Sequence, residues 1–271
     1  MVNNFTISTN TKVSLKDISP SDTAKLEKKD IQEKYLELQE RFIELQEVFN
    51  ASKKFSLLIV LQGMDCSGKD GTVKKVLAGV NPNGFMVQSF KQPTPEELGH
   101  DYLWRAHKAT PLKGNIAVFN RSYYEDVLVT RVHKTIDDKV AFSRFKEIAE
   151  FEKHLVNNGT IVLKFFLHIS KEFQQKKLQS RLEIPEKHFK FSMADLAERK
   201  FWDRYQECYA DVLSNCSTKQ APWHIVPADH RWFRDYLILE RIVSTLENLK
   251  LKFPDINGTI QQLIQEVKES N

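Results

Sequence analysis

The stretch that decides the fold runs Phe55-Ser56-Leu57-Leu58-Ile59-Val60-Leu61-Gln62-Gly63-Met64-Asp65-Cys66-Ser67-Gly68-Lys69-Asp70-Gly71-Thr72. Phe55 to Leu61 is a nearly continuous apolar run, the pattern of a strand buried on both faces in a parallel sheet. Gly63 to Lys69 spells G-x-x-x-x-G-K, and Val73 to Val80 reads as helix. Strand, glycine loop with lysine, then helix is the context in which such a loop binds phosphate. Glycines let successive N–H groups turn inward, the helix start adds its positive dipole end, and Lys69 adds a full charge. One position departs from the usual pattern. The residue after the lysine is normally a Ser or Thr that holds magnesium; here it is Asp70, with Thr72 two positions later. That argues against an ordinary ATPase or GTPase and for a different arrangement of metal ligands. The alternative is a surface turn with a chance match.

Outward from the loop, strands are expected at Phe85–Phe90, Ile116–Phe119, Thr160–Ile169 and Trp223–Pro227. Helical stretches at about 96–109, 122–132, 138–157, 170–184, 192–213 and 230–250 separate or follow them. This alternation predicts an α/β fold, a parallel sheet with helices on both faces, whose ligands bind beyond the carboxyl ends of the strands. Residues 1–20 are polar and read as a surface arm, and 21–50 as a helix starting near Ser21 or Asp22. Tyr35, Leu38, Phe42, Leu45 and Phe49 give it one apolar face, for packing or, alternatively, for oligomer contact. Residues 253–271 are expected to hold a short helix.

The 271 residues suit one large core, and a net charge of +4 suits an anionic substrate without implying nucleic acid. Cys66, Cys208 and Cys216 are too scattered for a disulfide framework or zinc site, which points to reduced thiols in the cytoplasm. No apolar run has transmembrane length, and the polar start lacks a signal-peptide core.

A second chemical stretch follows Ile116–Phe119: Asn120-Arg121-Ser122-Tyr123-Tyr124-Glu125-Asp126. Arg121 at a strand end can point its fork at phosphate oxygens, with Glu125 and Asp126 as nearby carboxylates. Alternatively this is a strand-to-helix turn capped by Asn120 or Ser122. Lys91-Gln92-Pro93-Thr94-Pro95 is a rigid turn after another strand. The next helix carries Trp104 and Arg105, placed for a base and a phosphate, with Trp104 equally suited to the core. Lys176 to Lys200 is basic at intervals and interrupted by Pro185, the pattern of a hinged lid able to supply Arg181 to a transition state. For its individual lysines a solvated helix face is the simpler reading.

Taken together, the loop at 63–72, the Val118–Leu128 stretch, Lys-Phe-Ser at 190–192, Glu-Arg-Lys-Phe-Trp at 198–202 and Ala-Pro-Trp-His-Ile-Val-Pro-Ala-Asp at 221–229 resemble the polyphosphate kinase 2 family over roughly residues 30–255. In that family Asp-Gly-Thr follows the loop lysine. The resemblance implies a single three-layer α/β/α phosphate-loop kinase domain over 1–271, similar to thymidylate kinase, with a helical lid at about 176–200. It implies transfer of a phosphoryl group between inorganic polyphosphate and AMP or ADP, with Mg2+, or Mn2+ in its place. The family's catalytic residues fall on Asp65, Lys69, Arg121 and Arg181. Polyphosphate is expected along Gly68, Lys69, Asp70, Gly71, Thr72, Lys74 and Lys75 toward Arg121 and Arg181. The nucleotide is expected near Lys91, Gln92, Pro93, Thr94, Arg105 and Glu125. The larger branch carries Asp at position 120 and Asn at 125; the form here resembles the branch that phosphorylates both AMP and ADP. Asp65, with Glu125 or Asp126, is the expected metal ligand set. Expected partners are polyphosphate, adenine nucleotides and further copies of the chain, as a dimer or tetramer, with no nucleic acid and no membrane. Rival readings are an ATP-dependent nucleoside monophosphate kinase, a nucleotide sensor without turnover and a nucleic-acid binder.

Overall fold

A computed structural model describes residues 5–255 and 260–270 of the chain. Helix α1 (Lys28–Ser52) leads to strand β1 (Ser56–Gln62), helix α2 (Lys69–Val76) and strand β2 (Phe85–Ser89). Short helices α3 (Pro95–Leu98) and α4 (Trp104–Lys108) precede β3 (Ile116–Asn120), α5 (Glu125–Val132), α6 (Asp138–Asn157) and β4 (Thr160–His168). Then come α7 (Lys171–Glu183), a 3-10 turn at Pro185–Lys190, α8 (Met193–Arg199), α9 (Trp202–Asn215), β5 (Trp223–Pro227), α10 (Arg231–Asn248) and α11 (Ile260–Glu269).

The five strands form one parallel sheet in the order β2-β3-β1-β4-β5. Every residue of β1 is buried, as its apolar run predicts. α1, α2 and α10 pack together, as do α5, α6 and α9, and these two groups flank the sheet. From β1 the chain builds β3 and β2 on one side and β4 and β5 on the other. The carboxyl end of β1 is therefore the switch point of the sheet, where such folds bind ligands. The phosphate loop sits there.

Several boundaries differ from expectation. α1 begins at Lys28, because Ala24 and Lys25 adopt left-handed backbone (φ 51 and 64) in a turn where Asp22 accepts the Ala24 N–H. Its cap is Glu27, whose N–H donates to Asp30. Its apolar face packs inward: Phe42 and Phe49 are fully buried and α1 lies against α10. The helix expected over 96–109 is two pieces separated at Gly99–Leu103, and that over 192–213 breaks between Arg199 and Trp202. The N-terminal arm is anchored: Ile7 N–H donates to the Trp223 carbonyl, and Ile7, Val13 and Leu15 are buried. Of the expected arm and C-terminal helix, residues 1–4, 256–259 and 271 lie outside the described residues.

One buried charge organises the centre. Lys164 on β4 is fully buried, and its ammonium donates to Glu152 (2.6 Å), the Tyr124 hydroxyl (3.1 Å) and the Cys216 carbonyl (2.7 Å). Glu152 also accepts from Tyr123 (2.8 Å) and Tyr124 (2.7 Å). All three lysine protons are used, so the desolvated pair is satisfied. Removing one partner strands the other charge. Lys164→Met should therefore cost roughly 3–5 kcal/mol of stability in a denaturant titration, with part regained in Lys164→Met/Glu152→Leu. A loss well under 1 kcal/mol for the single variant would show that the network carries no strain of this kind.

Candidate active site

The loop closes over the end of β1 because two positions tolerate no side chain. A Cβ on Gly63 would lie 2.8 Å from the Leu167 carbonyl and 2.8 Å from Ser67 Oγ. Gly68 has φ 96 and caps α2, and a Cβ there would come 1.9 Å from the Arg234 guanidinium. Arg234, buried on α10, donates to the Ser67 carbonyl (3.1 Å) and to Asp235 (2.9 Å). Tyr209 of α9 is buried with its hydroxyl beside the Gly63 backbone.

Lys69 is 8% exposed and its ammonium donates to the Gly63 (2.8 Å) and Met64 (3.2 Å) carbonyls. Burial, and then the Arg121 charge, hold it below the ordinary lysine range, opposed by Asp65 and Glu125. An anionic phosphate beside it would reverse that balance.

Arg121 is the other pole. It follows β3 with left-handed backbone (φ 62), its N–H bonded to the Leu61 carbonyl (3.0 Å). A non-glycine residue in that region, at a strand end beside a phosphate loop, is the kind of strain functional sites store. Its guanidinium bridges Asp65 (2.5 Å) and Glu125 (3.3 Å). Burial pulls its proton affinity down, but Glu125 and Asp65 outweigh that and leave it above the usual arginine range. Glu125 also accepts from buried Gln62 (2.9 Å). Asp70 is exposed and accepts from the Asn120 amide (2.5 Å). Thus Asp65, Lys69, Asp70, Arg121 and Glu125 converge at the ends of β1 and β3.

Arg181 on α7 donates to Asp195 of α8 (2.6 Å) and to the Lys190 carbonyl (2.9 Å), folding the lid on itself. Its charge reaches the loop, since it opposes the burial that pushes the Cys66 thiol up to about 11. Cys66, Cys208 and Cys216 are all unpaired.

Four expectations are corrected. Asp126 turns away from the loop toward Arg105 (3.4 Å), because adjacent residues on a helix face directions about 100° apart. Only Glu125 of the two acids reaches Arg121. Arg105 is itself committed: it donates to the Lys91 carbonyl (2.8 Å), pairs with Asp126 and lies 3.6 Å from Glu97. It braces the Lys91–Thr94 turn and does not point outward. Thr94 caps α3 in a reciprocal pair with Glu97, while Lys91 and Gln92 are exposed and Pro93 half-buried. Thr72 is buried with its hydroxyl donating to Asp235 (3.3 Å), not facing the loop mouth. Trp104 is stacked on His100 (3.9 Å) with Lys108 over its ring (4.1 Å), so neither reading of it as base platform or core describes it. Gly71, Lys74 and Lys75 are exposed on α2 beyond the loop.

Sequence reasoning missed Gln62, which ends β1 and donates to Glu125, and Gln174, Arg234 and Asp235, which support the loop from elements far away in the chain. For a metal, no three His, Cys, Asp or Glu side chains cluster among the described residues. Asp65 and Glu125, on either side of Arg121, are two carboxylates that fit a hard cation completed by substrate oxygens and water, as magnesium is commonly held. No helix among the described residues is long and apolar enough to cross a membrane.

Residues 25–254 match the family model for polyphosphate kinase 2. The AMP/ADP-polyphosphate phosphotransferase of Meiothermus ruber is 44% identical over 254 residues, covering 93% of this chain and 95% of that one. The ADP-polyphosphate phosphotransferase of Rhodopseudomonas palustris is 41% identical over 81% of this chain and 80% of its own. The crystal structure of polyphosphate kinase 2 from Arthrobacter aurescens superposes with a TM-score of 0.94 at 37% identity, over 98% of this chain and 96% of that one.

The Thr72 correction has a direct test. Thr72→Val should lower stability by about 1 kcal/mol, the scale of one buried hydrogen bond, and leave tripolyphosphate binding measured by calorimetry unchanged. A large loss of binding with an unchanged melting temperature would restore the threonine to the phosphate site.

Proposed function

The chain belongs to the polyphosphate kinase 2 family, and we propose that it transfers a phosphoryl group from inorganic polyphosphate to AMP and to ADP, giving ADP and ATP, in a reversible reaction. The observation that carries this reading is the convergence of Lys69, Asp65 and the Arg121–Glu125 pair at the switch point of the sheet, beneath a basic lid. In transfer, the terminal P–O–P bond of the donor breaks as an oxygen of the acceptor nucleotide's terminal phosphate bonds to the same phosphorus in line. Positioning and charge stabilisation suffice for this chemistry, and no protein nucleophile is required.

Lys69 and the loop N–H groups cradle the transferring phosphoryl group. Arg121 spans donor and acceptor oxygens, releasing Asp65 and Glu125 as phosphates take their place. Arg181 exchanges its Asp195 partner for substrate when the lid closes. Asp65 and Glu125 would hold Mg2+, which would supply charge neutralisation to the phosphate groups when bound. The polyphosphate chain runs from Lys69 past Lys74 and Lys75 toward the lid. Supporting that path, Lys177 is held below the ordinary lysine range by burial and by the nearby charges of Arg231 and Lys187; a polyanion would relieve this crowding. The nucleotide lies on the β2–β3 side, against the Lys91–Thr94 turn. We assign the protein to the cytoplasm, where its nucleotides are, and to a homo-oligomer.

Incubated with AMP, long-chain polyphosphate and Mg2+, the protein should form ADP and then ATP, separated by chromatography. Lys69→Ala should lower the rate by about three orders of magnitude, the scale of losing one strong electrostatic stabiliser. Activity with ATP and AMP but none with polyphosphate would instead identify a nucleoside monophosphate kinase.

Glu125 distinguishes the two acceptors. A carboxylate here repels nucleotide phosphates unless a cation lies between them, and it occupies the side of Arg121 that the longer ADP would reach unaided. Glu125→Asn should reduce AMP phosphorylation more than ADP phosphorylation in parallel assays. Equal losses would leave Glu125 only a general role, and none would reduce it to a favourable acid in the first turn of α5.

A further inference from the structure

Gln174 of α7 is 1% exposed and touches two elements at once. Its amide nitrogen donates to the main-chain carbonyl of Asp65 (3.0 Å), and its amide oxygen accepts from Arg199 Nη1 (2.7 Å). These neighbours fix the amide's orientation, since a carbonyl can only accept and a guanidinium can only donate. Arg199, the last residue of α8, also donates to the Lys171 carbonyl at the start of α7 (2.9 Å). A hydrogen-bonded path therefore runs from the second lid helix, through one buried side chain, to the peptide joining Asp65 to Cys66.

That peptide is the critical one in the loop. Cys66 has left-handed backbone (φ 69), so the chain reverses immediately after Asp65. In a planar trans peptide the C=O and N–H point opposite ways. With the Asp65 carbonyl held on the α7 side, the Cys66 N–H is aimed away from α7, and the Asp65 carboxylate is set against Arg121. Both halves of the loop's chemistry, a main-chain donor and the carboxylate, depend on how this one peptide is turned.

We propose that Gln174 is a positioning residue for phosphoryl transfer, holding the Asp65–Cys66 peptide in its working orientation when Arg199 seats the second lid helix against α7. Both ends of its amide are committed, to the Asp65 carbonyl and to Arg199, so it acts through the loop. Loop geometry is thereby coupled to lid docking: an undocked α8 leaves the Gln174 oxygen without its charged partner, and the amide is then free to rotate off the Asp65 carbonyl. The inference rests on the phosphotransferase reading for its kinetic consequence but not for its structural one.

The test is a double-mutant cycle with two readouts. Gln174→Met should lower kcat roughly tenfold or more, the penalty of a misplaced reacting group, while KM for AMP changes less than about threefold. Gln174→Glu keeps an acceptor for Arg199 but turns an oxygen toward the Asp65 carbonyl, so it should lose as much as Gln174→Met. Arg199→Met, which has no contact with the loop, should reproduce the loss, Arg199→Lys should restore most of it, and Gln174→Met/Arg199→Met should be no worse than the worse single variant. Wild-type kinetics in Gln174→Glu, or losses that multiply in the double variant, would overturn the proposal. The second readout is hydrogen exchange in Arg199→Met: amides 64–68 should exchange faster while those of Arg231–Asn248 keep their protection. Unchanged exchange in the loop, or loss of protection throughout, would also overturn it. If the wild type transfers no phosphoryl group from polyphosphate, the functional reading fails, and the exchange measurement still decides the coupling.

Discussion

A lysine buried in the middle of the sheet obliges the elements around it to sit where they do. Lys164 cannot reach water, so its charge must be met inside the protein, and Glu152 of α6 meets it. Two charges taken from water are a poor source of stability but a demanding geometric constraint. Glu152 must also accept the hydroxyls of Tyr123 and Tyr124, and Tyr124 packs edge-on against Trp223 of β5 (4.9 Å). These two tyrosines are the last two of the four residues between β3 and α5. Clamping them fixes the first turn of α5, and that turn carries Glu125. Two residues before Tyr123, Arg121 sits in left-handed backbone with its N–H on the Leu61 carbonyl and its guanidinium on Asp65 of the loop.

With that frame set, the site is held by charges that await replacement. Arg121 is shared by Asp65 and Glu125, Arg181 is paired with Asp195, and Lys69 is bonded to loop carbonyls. Each cation is satisfied without substrate, which keeps a cluster of like charges from destabilising the loop. Each of these partners is also displaceable by phosphate oxygens, which accept hydrogen bonds in the same fork geometry. Lys69 is held below the ordinary lysine range because its burial is met by neutral carbonyls rather than by a direct ion pair.

How much of this could be seen in the residues alone follows from the range of the interactions. Strand positions and the loop were legible because they are local: an apolar run and a glycine pattern carry their own signal, and Trp223–Pro227 was found at its observed bounds. The places of Lys69, at the end of the glycine loop, and of Arg121, just past a strand, were legible from those local patterns. Asp126 was misplaced because a carboxylate pair in sequence does not reveal which member faces inward until the phase of α5 is known. Thr72 and Arg105 were misplaced for a different reason. Their partners, Asp235 and Lys91, lie 163 and 14 residues away, and a polar residue near a motif looks functional until such a partner is found. Gln174 gave no signal at all, being one of three glutamines in a polar helix. Helix breaks at Gly99 and after Arg199 were smoothed over because helical spacing resumes beyond them.

The pairing of Asn120 with Asp70 gives the departure in the phosphate loop a physical sense. With Asp at position 70, a second carboxylate at 120 would face it directly, and the two would repel unless one kept its proton or a cation lay between them. Asn120 offers a donor instead, so the loop mouth is held without an ion. The carboxylate of the Asn120–Asp126 stretch nearest the loop, Glu125, stands instead in the first turn of α5. There it meets Gln62 and the far side of Arg121 rather than Asp70. The negative charge is therefore carried beside Gln62 and Arg121, away from Asp70. On the proposed reading, an acceptor with one phosphate fewer gains most from this placement, because the carboxylate would stand where the missing phosphate would have been.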